Sequence, residues 1–294
     1  MTSEKRALVV EGGAMRGVFA AGVLDAFMEQ DYNPFDFAIG VSAGSTNLIG
    51  YLANEHKRSL RILTEHAQSS NFLNPLRYLT GGHFCDVEWL WRQSFKDLEL
   101  DLKHYMERQV PLYVVTTRVD TGKACYIEVT KDNMHDLFPA SCAIPFIYRD
   151  YPEVNGIPMT DGGVADSIPV EKAYEMGARE ITVILSQSLR VRKHVYTLPG
   201  PVEEFLLNHL VLRQAITDRP DKFNRSLEFI TNPPKDCKIN VIAPPTDFRV
   251  GRFTRNLDAL HTGYEIGRQR GLAFLEESVQ PASKRRSSRS MAKT

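Results

Sequence analysis

The chain has 294 residues, 43% hydrophobic and 24% charged, an ordinary globular composition with room for one large α/β domain. Its 36 Lys and Arg balance 36 Asp and Glu, and the body before residue 281 is slightly acidic, at 31 basic against 36 acidic residues, with no aromatic–basic platform, which argues against a nucleic-acid partner. Four scattered cysteines (Cys85, Cys125, Cys142, Cys237) form no CxxC pair, no secretory leader precedes the first apolar run, and none of these runs approaches the ~18 residues of a membrane span, so a cytoplasmic protein with at most peripheral membrane contact is expected.

In chain order, Arg6–Val10 reads as a buried strand and Arg16–Gln30 as a helix, followed by a strand over Phe35–Ser42 and a helix over Ala43–Ala53. Pro111–Val119 and Ala124–Thr130 read as strands joined by a hairpin turn at Asp120–Lys123. Helices are expected over Met134–Cys142, Val170–Met176, Val202–Ile216 and Asn256–Glu277, and strands over Glu180–Ser186 and Lys238–Pro244. Alternating strands and helices predict an α/β fold with a mostly parallel sheet covered on both faces. Residues 1–280 are expected to form a single domain, and the Ser-, Lys- and Arg-rich stretch 281–294 a disordered basic tail that solubilises the chain or touches anionic lipid.

Between the second strand and its helix lies Gly40-Val41-Ser42-Ala43-Gly44, a G-x-S-x-G. A sharp strand-to-helix turn with small neighbours holds a serine hydroxyl out of the backbone at the positive end of a helix, where an alkoxide or oxyanion is favoured. Without further partners the same residues make an ordinary packing turn. Upstream, Glu11–Gly17 (EGGAMRG) also follows a strand and opens a helix. It fits a degenerate dinucleotide fingerprint with Ala14 in the middle glycine's place and Asp36 as the acid, a structural turn, or a loop of N–H donors for an oxyanion. The last reading places its donors at the same carboxyl edge of a parallel sheet as Ser42.

A nucleophilic serine needs a base. His194, His209 and His261 lie downstream of Ser42 without a turn motif, and His209 and His261 fall in amphipathic helical patterns. Asp161, followed by Gly162 and Gly163, is the stronger candidate, since a carboxylate in a tight glycine turn approaches another loop closely and, partly desolvated, takes a proton from a hydroxyl. On its own, Asp-Gly is a common turn.

The ordered set of strand–EGGAMRG–helix, GVSAG about 25 residues later and DGG roughly 120 residues further on resembles the patatin-like phospholipases. The run Phe138–Gly163, with Ala-Ser-x-Ala-x-Pro and an Asn-Gly turn ahead of the acidic motif, strengthens the likeness, which reaches from about Arg6 to about Ile184. The resemblance implies a three-layer α/β/α fold and a Ser–Asp dyad with neither metal nor cofactor. Ser42 would be the nucleophile, Asp161 the general base, and Gly12, Gly13 and Ala14 the oxyanion donors beside Arg16 and Gly17. The implied chemistry is hydrolysis of a lipid or fatty-acyl ester through an acyl-enzyme. Two residues depart from the family pattern: Ala14 stands where a third glycine is common, and Ser167 where an asparagine is common.

Competing readings are an α/β-hydrolase esterase with a Ser42–Asp161–His261 triad, and a lipid- or nucleotide-binding module that keeps the fold without turnover. The segment Asn71–Phe95, with Trp89 and Trp91, reads either as a flap over an acyl pocket or lipid surface or as aromatics packed on the domain. Its His83, Cys85 and Asp86 are a poor metal set.

Overall fold

The computed structural model describes residues 4–194 and 197–279, so the basic tail lies outside the described residues. The strands are β1 (Lys5–Val10), β2 (Phe37–Val41), β3 (Leu112–Arg118), β4 (Ala124–Glu128), β5 (Glu153–Val154), β6 (Ile157–Asp161), β7 (Ala178–Ile184) and β8 (Lys238–Ile242). The helices are α1 (Gly17–Glu29), α2 (Ala43–Leu52), α3 (Arg58–Thr64), α4 (Pro75–Leu79), α5 (Val87–Asp97), α6 (Leu102–Glu107), α7 (Met134–Cys142), α8 (Val170–Glu175), α9 (Gly200–Phe205), α10 (Leu210–Thr231) and α11 (Leu257–Val279).

One eight-stranded sheet runs in the order β5-β6-β3-β2-β1-β7-β8, with β4 also paired to β3. The central five, β3 to β8 in that order, are parallel, and β4, β5 and β6 are antiparallel additions. Ala7 to Val10 are fully buried, as an inner parallel strand covered on both faces requires. Leu8 and Val10 point into a core with Phe19, Leu48 and Phe138 from α1, α2 and α7. Ala7 and Val9 point the other way, onto Val170 of α8 and Phe223 of α10. The expected three-layer arrangement follows from this alternation.

The helix expected over Val202–Ile216 is instead two. α9 stops at Phe205, the chain turns at the fully buried Leu206, and α10 starts at Leu210. α10 then continues through Pro220, because its face beyond the proline, Phe223, Leu227 and Ile230, packs on the sheet and outweighs one lost N–H donor. α11 lies on α1 at close range: a Cβ added to Gly22 would stand 2.1 Å from the Tyr264 carbonyl oxygen, and one added to Gly267 would stand 2.1 Å from that of Phe19.

The register along β3 positions the site. β2 pairs with Leu112–Val115, and β4 pairs with Tyr113–Thr117 on the opposite edge. β6 pairs with Thr116–Arg118, two of which β4 also pairs, so β6 lies on the same edge as β2 and meets it end to end. Val41 faces Val115 and Asp161 faces Thr116. Two strands 120 residues apart in sequence therefore end at neighbouring rungs of one ladder.

Candidate active site

Ser42 follows β2 in a backbone conformation (φ 51°, ψ −127°) that costs a non-glycine residue about 1–3 kcal/mol and persists only where the surroundings enforce it. Those surroundings are specific. The Ser42 N–H donates to Ser141 Oγ at 2.9 Å, and Ser141 Oγ donates to the Val115 carbonyl at 2.7 Å. The Ser42 carbonyl accepts from Ser45 Oγ at 2.6 Å. A side chain at Gly40 would strike Ser45 Cα at 2.5 Å, and one at Gly44 the Val10 carbonyl at 2.4 Å, so the small residues of the pentapeptide let α2 press against β1 and β2. Ser42 is held 6% exposed at the start of α2.

Asp161 ends β6, also 6% exposed. Its carboxylate lies beside Ser42 on one small cavity, and its Oδ1 accepts the Gly163 N–H at 2.7 Å. Thr117 Oγ1 holds its carbonyl at 2.8 Å. Gly162 lies so close to β3 that a Cβ there would stand 2.1 Å from the Val115 oxygen. Burial pushes the carboxyl above the ordinary aspartate range; the nearby Arg219, the Ser42 hydroxyl, the Gly163 N–H and Arg252 pull it partly back.

The glycine loop faces this pair. The Glu11 N–H is spent on the Ile184 carbonyl at 3.0 Å and the Met15 N–H on the Arg252 carbonyl at 3.3 Å. Between them, the N–H groups of Gly12, Gly13 and Ala14 enter no hydrogen bond among the described residues. A Cβ on Gly12 would lie 3.2 Å from Ser42 Cβ, one on Gly13 2.7 Å from Ser186 Cβ and one on Gly17 3.0 Å from Ala43 Cβ, so the loop is seated against the elbow. Asn47 Nδ2 donates to the Gly17 carbonyl at 2.8 Å and ties α2 to α1. Ala14 has φ 50°, the left-handed region that the missing glycine would occupy without strain. Arg16 is half-buried beside the loop, and burial, then Arg252 and Arg219, lower its guanidinium to about 10 against the opposing pull of Glu11.

Ser42 lines two cavities. One, of about 40 Å³, is lined by Gly12, Gly13, Asp161, Ser167, Arg219 and Arg252 among others. The second, of about 100 Å³, is mostly apolar, with Met15, Leu63, Phe72, Leu90, Trp91 and Ile147 in its wall. The Asn71–Phe95 segment divides in two. Trp91 is buried and stacks on Phe138 at 4.5 Å as part of the cavity wall, whereas α4 turns outward with Leu76 75% and Leu79 80% exposed.

Other sequence candidates lie elsewhere. No histidine lines either cavity among the described residues. His261 is exposed on α11, His194 is exposed in the loop before α9, and His209 precedes α10 with its ring 4.9 Å from that of Tyr151. Asp36 accepts the Arg6 N–H at 2.7 Å at the start of β2, the far end of the sheet from the glycine loop, so it is not placed to hold a ribose there. His83 stacks on Tyr148 at 3.8 Å, Asp86 caps α5 through the Trp89 N–H, and no group of three or more metal-binding side chains occurs among the described residues.

Sequence reasoning missed four residues of the site. Ser141 lay in the quoted Ala-Ser-x-Ala run, but its bridge between Ser42 and β3 is a long-range contact. Cys142 shares a cavity wall with Ser42, and burial, with Asp161 beside it, pushes its thiol up to about 12 and keeps it neutral. Arg219, in mid-helix, and Arg252, in a loop, carried no local signal at all.

The comparisons agree with this architecture. Residues 8–174 match the family described as patatin-like phospholipase, and residues 211–280 match a domain of unknown function (DUF6363). The uncharacterized protein YjjU of Escherichia coli (strain K12) is 32% identical over 277 residues, covering 92% of this chain and 76% of that protein. The crystal structure of VipD from Legionella pneumophila superposes with a TM-score of 0.50 at 12% identity, over 93% of this chain and 67% of that one, a likeness of fold. With the glycine loop, the serine elbow and the Asp-Gly-Gly turn gathered at one sheet edge and a family match over residues 8–174, the chain belongs to the patatin-like phospholipases, a family of lipid acyl hydrolases.

Proposed function

We propose that this protein hydrolyses the acyl ester of a lipid through a Ser42–Asp161 dyad. The observation that carries the reading is the meeting of Ser42 and the buried Asp161 on one small cavity at the junction of β2 and β6. The Asp161 carboxylate takes the Ser42 proton as Oγ attacks the ester carbonyl. The oxyanion forms in front of the unspent N–H groups of Gly12, Gly13 and Ala14, where each lost donor costs roughly 3 kcal/mol of barrier. Collapse expels the alcohol, which takes the proton from Asp161, and leaves an acyl group on Ser42. Water, deprotonated by the same carboxylate, releases the fatty acid and restores the serine. The apolar cavity beside Ser42 receives the acyl chain. The dyad uses neither metal nor cofactor.

Among the described residues no helix is long and apolar enough to cross a membrane. Leu76 and Leu79 on α4, with Phe253 at the cavity mouth, give an exposed apolar surface suited to peripheral contact with a lipid interface.

The test is turnover of a medium-chain p-nitrophenyl ester and of a phospholipid in EDTA. Ser42→Ala should fall to background and Asp161→Asn by about 10²–10⁴-fold, both remaining folded by circular dichroism. An inactive wild type that also resists fluorophosphonate labelling of Ser42 would instead favour the lipid-binding module.

A further inference from the structure

The apolar cavity beside Ser42 has a buried charge in its wall that no protein group answers. The cavity follows α2, with Ser42 and Ala43 lining it at the helix start and Thr46 and Asn47 one turn on. Arg58 and Ser59, from the first turn of α3, belong to the same wall. A Cβ built on Gly50 would lie 3.6 Å from Ser59 Oγ, which sets this end of the cavity about two helical turns, roughly 12 Å, beyond Ser42 along α2. That is the reach of a medium-length acyl chain. Phe253 at the mouth is 44% exposed, whereas Arg58 is only 3% exposed.

The Arg58 guanidinium is mostly unspent. Its Nε donates to the Leu98 carbonyl at 3.1 Å, just past the end of α5. Its Nη1 and Nη2 are buried without a hydrogen-bond partner among the described residues. Arg58 forms no ion pair within 4 Å among those residues, and no Asp or Glu is in the cavity wall. The acid that acts on it is Glu55, whose Oε1 already accepts the Asp101 N–H at 3.2 Å. Burial lowers the guanidinium to about 10, against the pull of Glu55, and so leaves it charged at neutral pH. Other polar side chains of the wall use their donors on backbone carbonyls: Thr46 on Ala43 at 3.0 Å, Asn47 on Gly17 at 2.8 Å and Ser94 on Trp91 at 3.0 Å.

A buried charge without a partner is costly, and an anion that reaches it relieves that cost. The two Nη groups of a guanidinium match the two oxygens of a carboxylate in a planar fork. A hydroxyl would occupy one N–H and leave the charge unanswered. At 3% exposure, bulk water does not screen the interaction.

We propose that Arg58 makes the far end of the acyl cavity a carboxylate-binding subsite, so that the preferred acyl group carries a free carboxylate at the end away from the scissile ester. The substrate class is then an ester of a medium-chain dicarboxylic acid with one carboxyl left free. The inference rests on Ser42 as the reacting residue and on this cavity as the acyl site.

The test is calorimetric titration of the Ser42→Ala protein with monomethyl esters of the dicarboxylic acids from adipic to sebacic, each against the methyl ester of the monocarboxylic acid of equal length. At one length the half-ester is expected to bind at least about tenfold tighter than its alkyl counterpart, with the preference falling for shorter and longer chains, because Arg58 lies at a fixed reach from Ser42. Arg58→Met in the same background should abolish the preference, and Arg58→Lys, a charge without the fork, should cut it by about fivefold or more. Melting temperature separates loss of the subsite from loss of the fold, and if Arg58→Met does not melt cooperatively, the Arg58→Lys ratio decides. Half-esters that bind no better than alkyl esters at any length overturn the subsite. So does a folded variant that keeps the full preference, or a preference equal at every length, which would place the carboxylate on Arg252 at the mouth. Wild-type turnover of the same esters is scored separately. Preference in binding without turnover sinks the hydrolase reading and keeps the subsite; turnover without preference does the reverse.

Discussion

Ala14 and Asp161 show how strain and burial are concentrated on single residues of this site. Ala14 sits at φ 50° in the glycine loop, a conformation that costs an alanine about 1–2 kcal/mol over glycine. Part of that is offset because glycine is freer in the unfolded chain. Ala14→Gly should therefore raise stability by up to about 1 kcal/mol in urea unfolding, with the loop geometry unchanged. A decrease would show that the loop relaxes around alanine. Asp161 makes a stability prediction of opposite origin. Burial raises its folded-state pKa above the unfolded value, so its contribution to stability is full below the unfolded pKa and lost as pH rises through the folded one. At pH 7 the ionised carboxylate is a net cost. Asp161→Asn should accordingly raise the melting temperature at pH 7, by an amount that shrinks toward pH 4. With Asp161 as the proposed base, the acid limb of wild-type kcat/KM should fall above the ordinary aspartate range, because a base must be ionised to act. A melting temperature lower than wild type at pH 7 would contradict the assigned direction.

At the scale of elements, the glycine loop and the elbow were legible because each is a local object: a strand, a tight turn and a helix contiguous in sequence, with small residues where backbones approach. α7 was legible at both ends for the same reason. The break between α9 and α10 was not, since Leu206 interrupts a helical pattern only by being pulled into a small core with Val164 and Leu212. Nor was the α1–α11 contact, where Gly22 and Gly267 carry no special backbone angle and matter only because another helix crosses them. Asp25 accepts the Tyr264 hydroxyl at 2.6 Å across this contact, and Glu29 accepts Arg268 Nη2 at 2.7 Å. Gly22→Val should separate the helices and destabilise by about 3 kcal/mol or more, read from the denaturant midpoint, whereas an exposed-helix glycine replaced in the same way would change little. An unchanged midpoint would mean that α11 does not depend on this close approach.

For the whole molecule, the sequence by itself determined the class of fold, the parallel core and the identity of the two central candidates. Buried strands alternating with helices leave few arrangements open, and Ser42 and Asp161 each sit in a short run whose glycines announce a tight turn. The tertiary structure alone decided that the two meet. Their strands end at adjacent rungs on one edge of β3, a pairing fixed by register between segments 120 residues apart. It likewise decided that Ser141 braces the elbow, that no histidine lines the cavities among the described residues, and that Arg219 and Arg252 reach the dyad from the C-terminal third. A local pattern records what a residue does to its own backbone. Arg219 and Arg252 leave no such record, because each is unremarked in its own stretch of chain and acquires its meaning only from the cavity it lines beside Ser42 and Asp161.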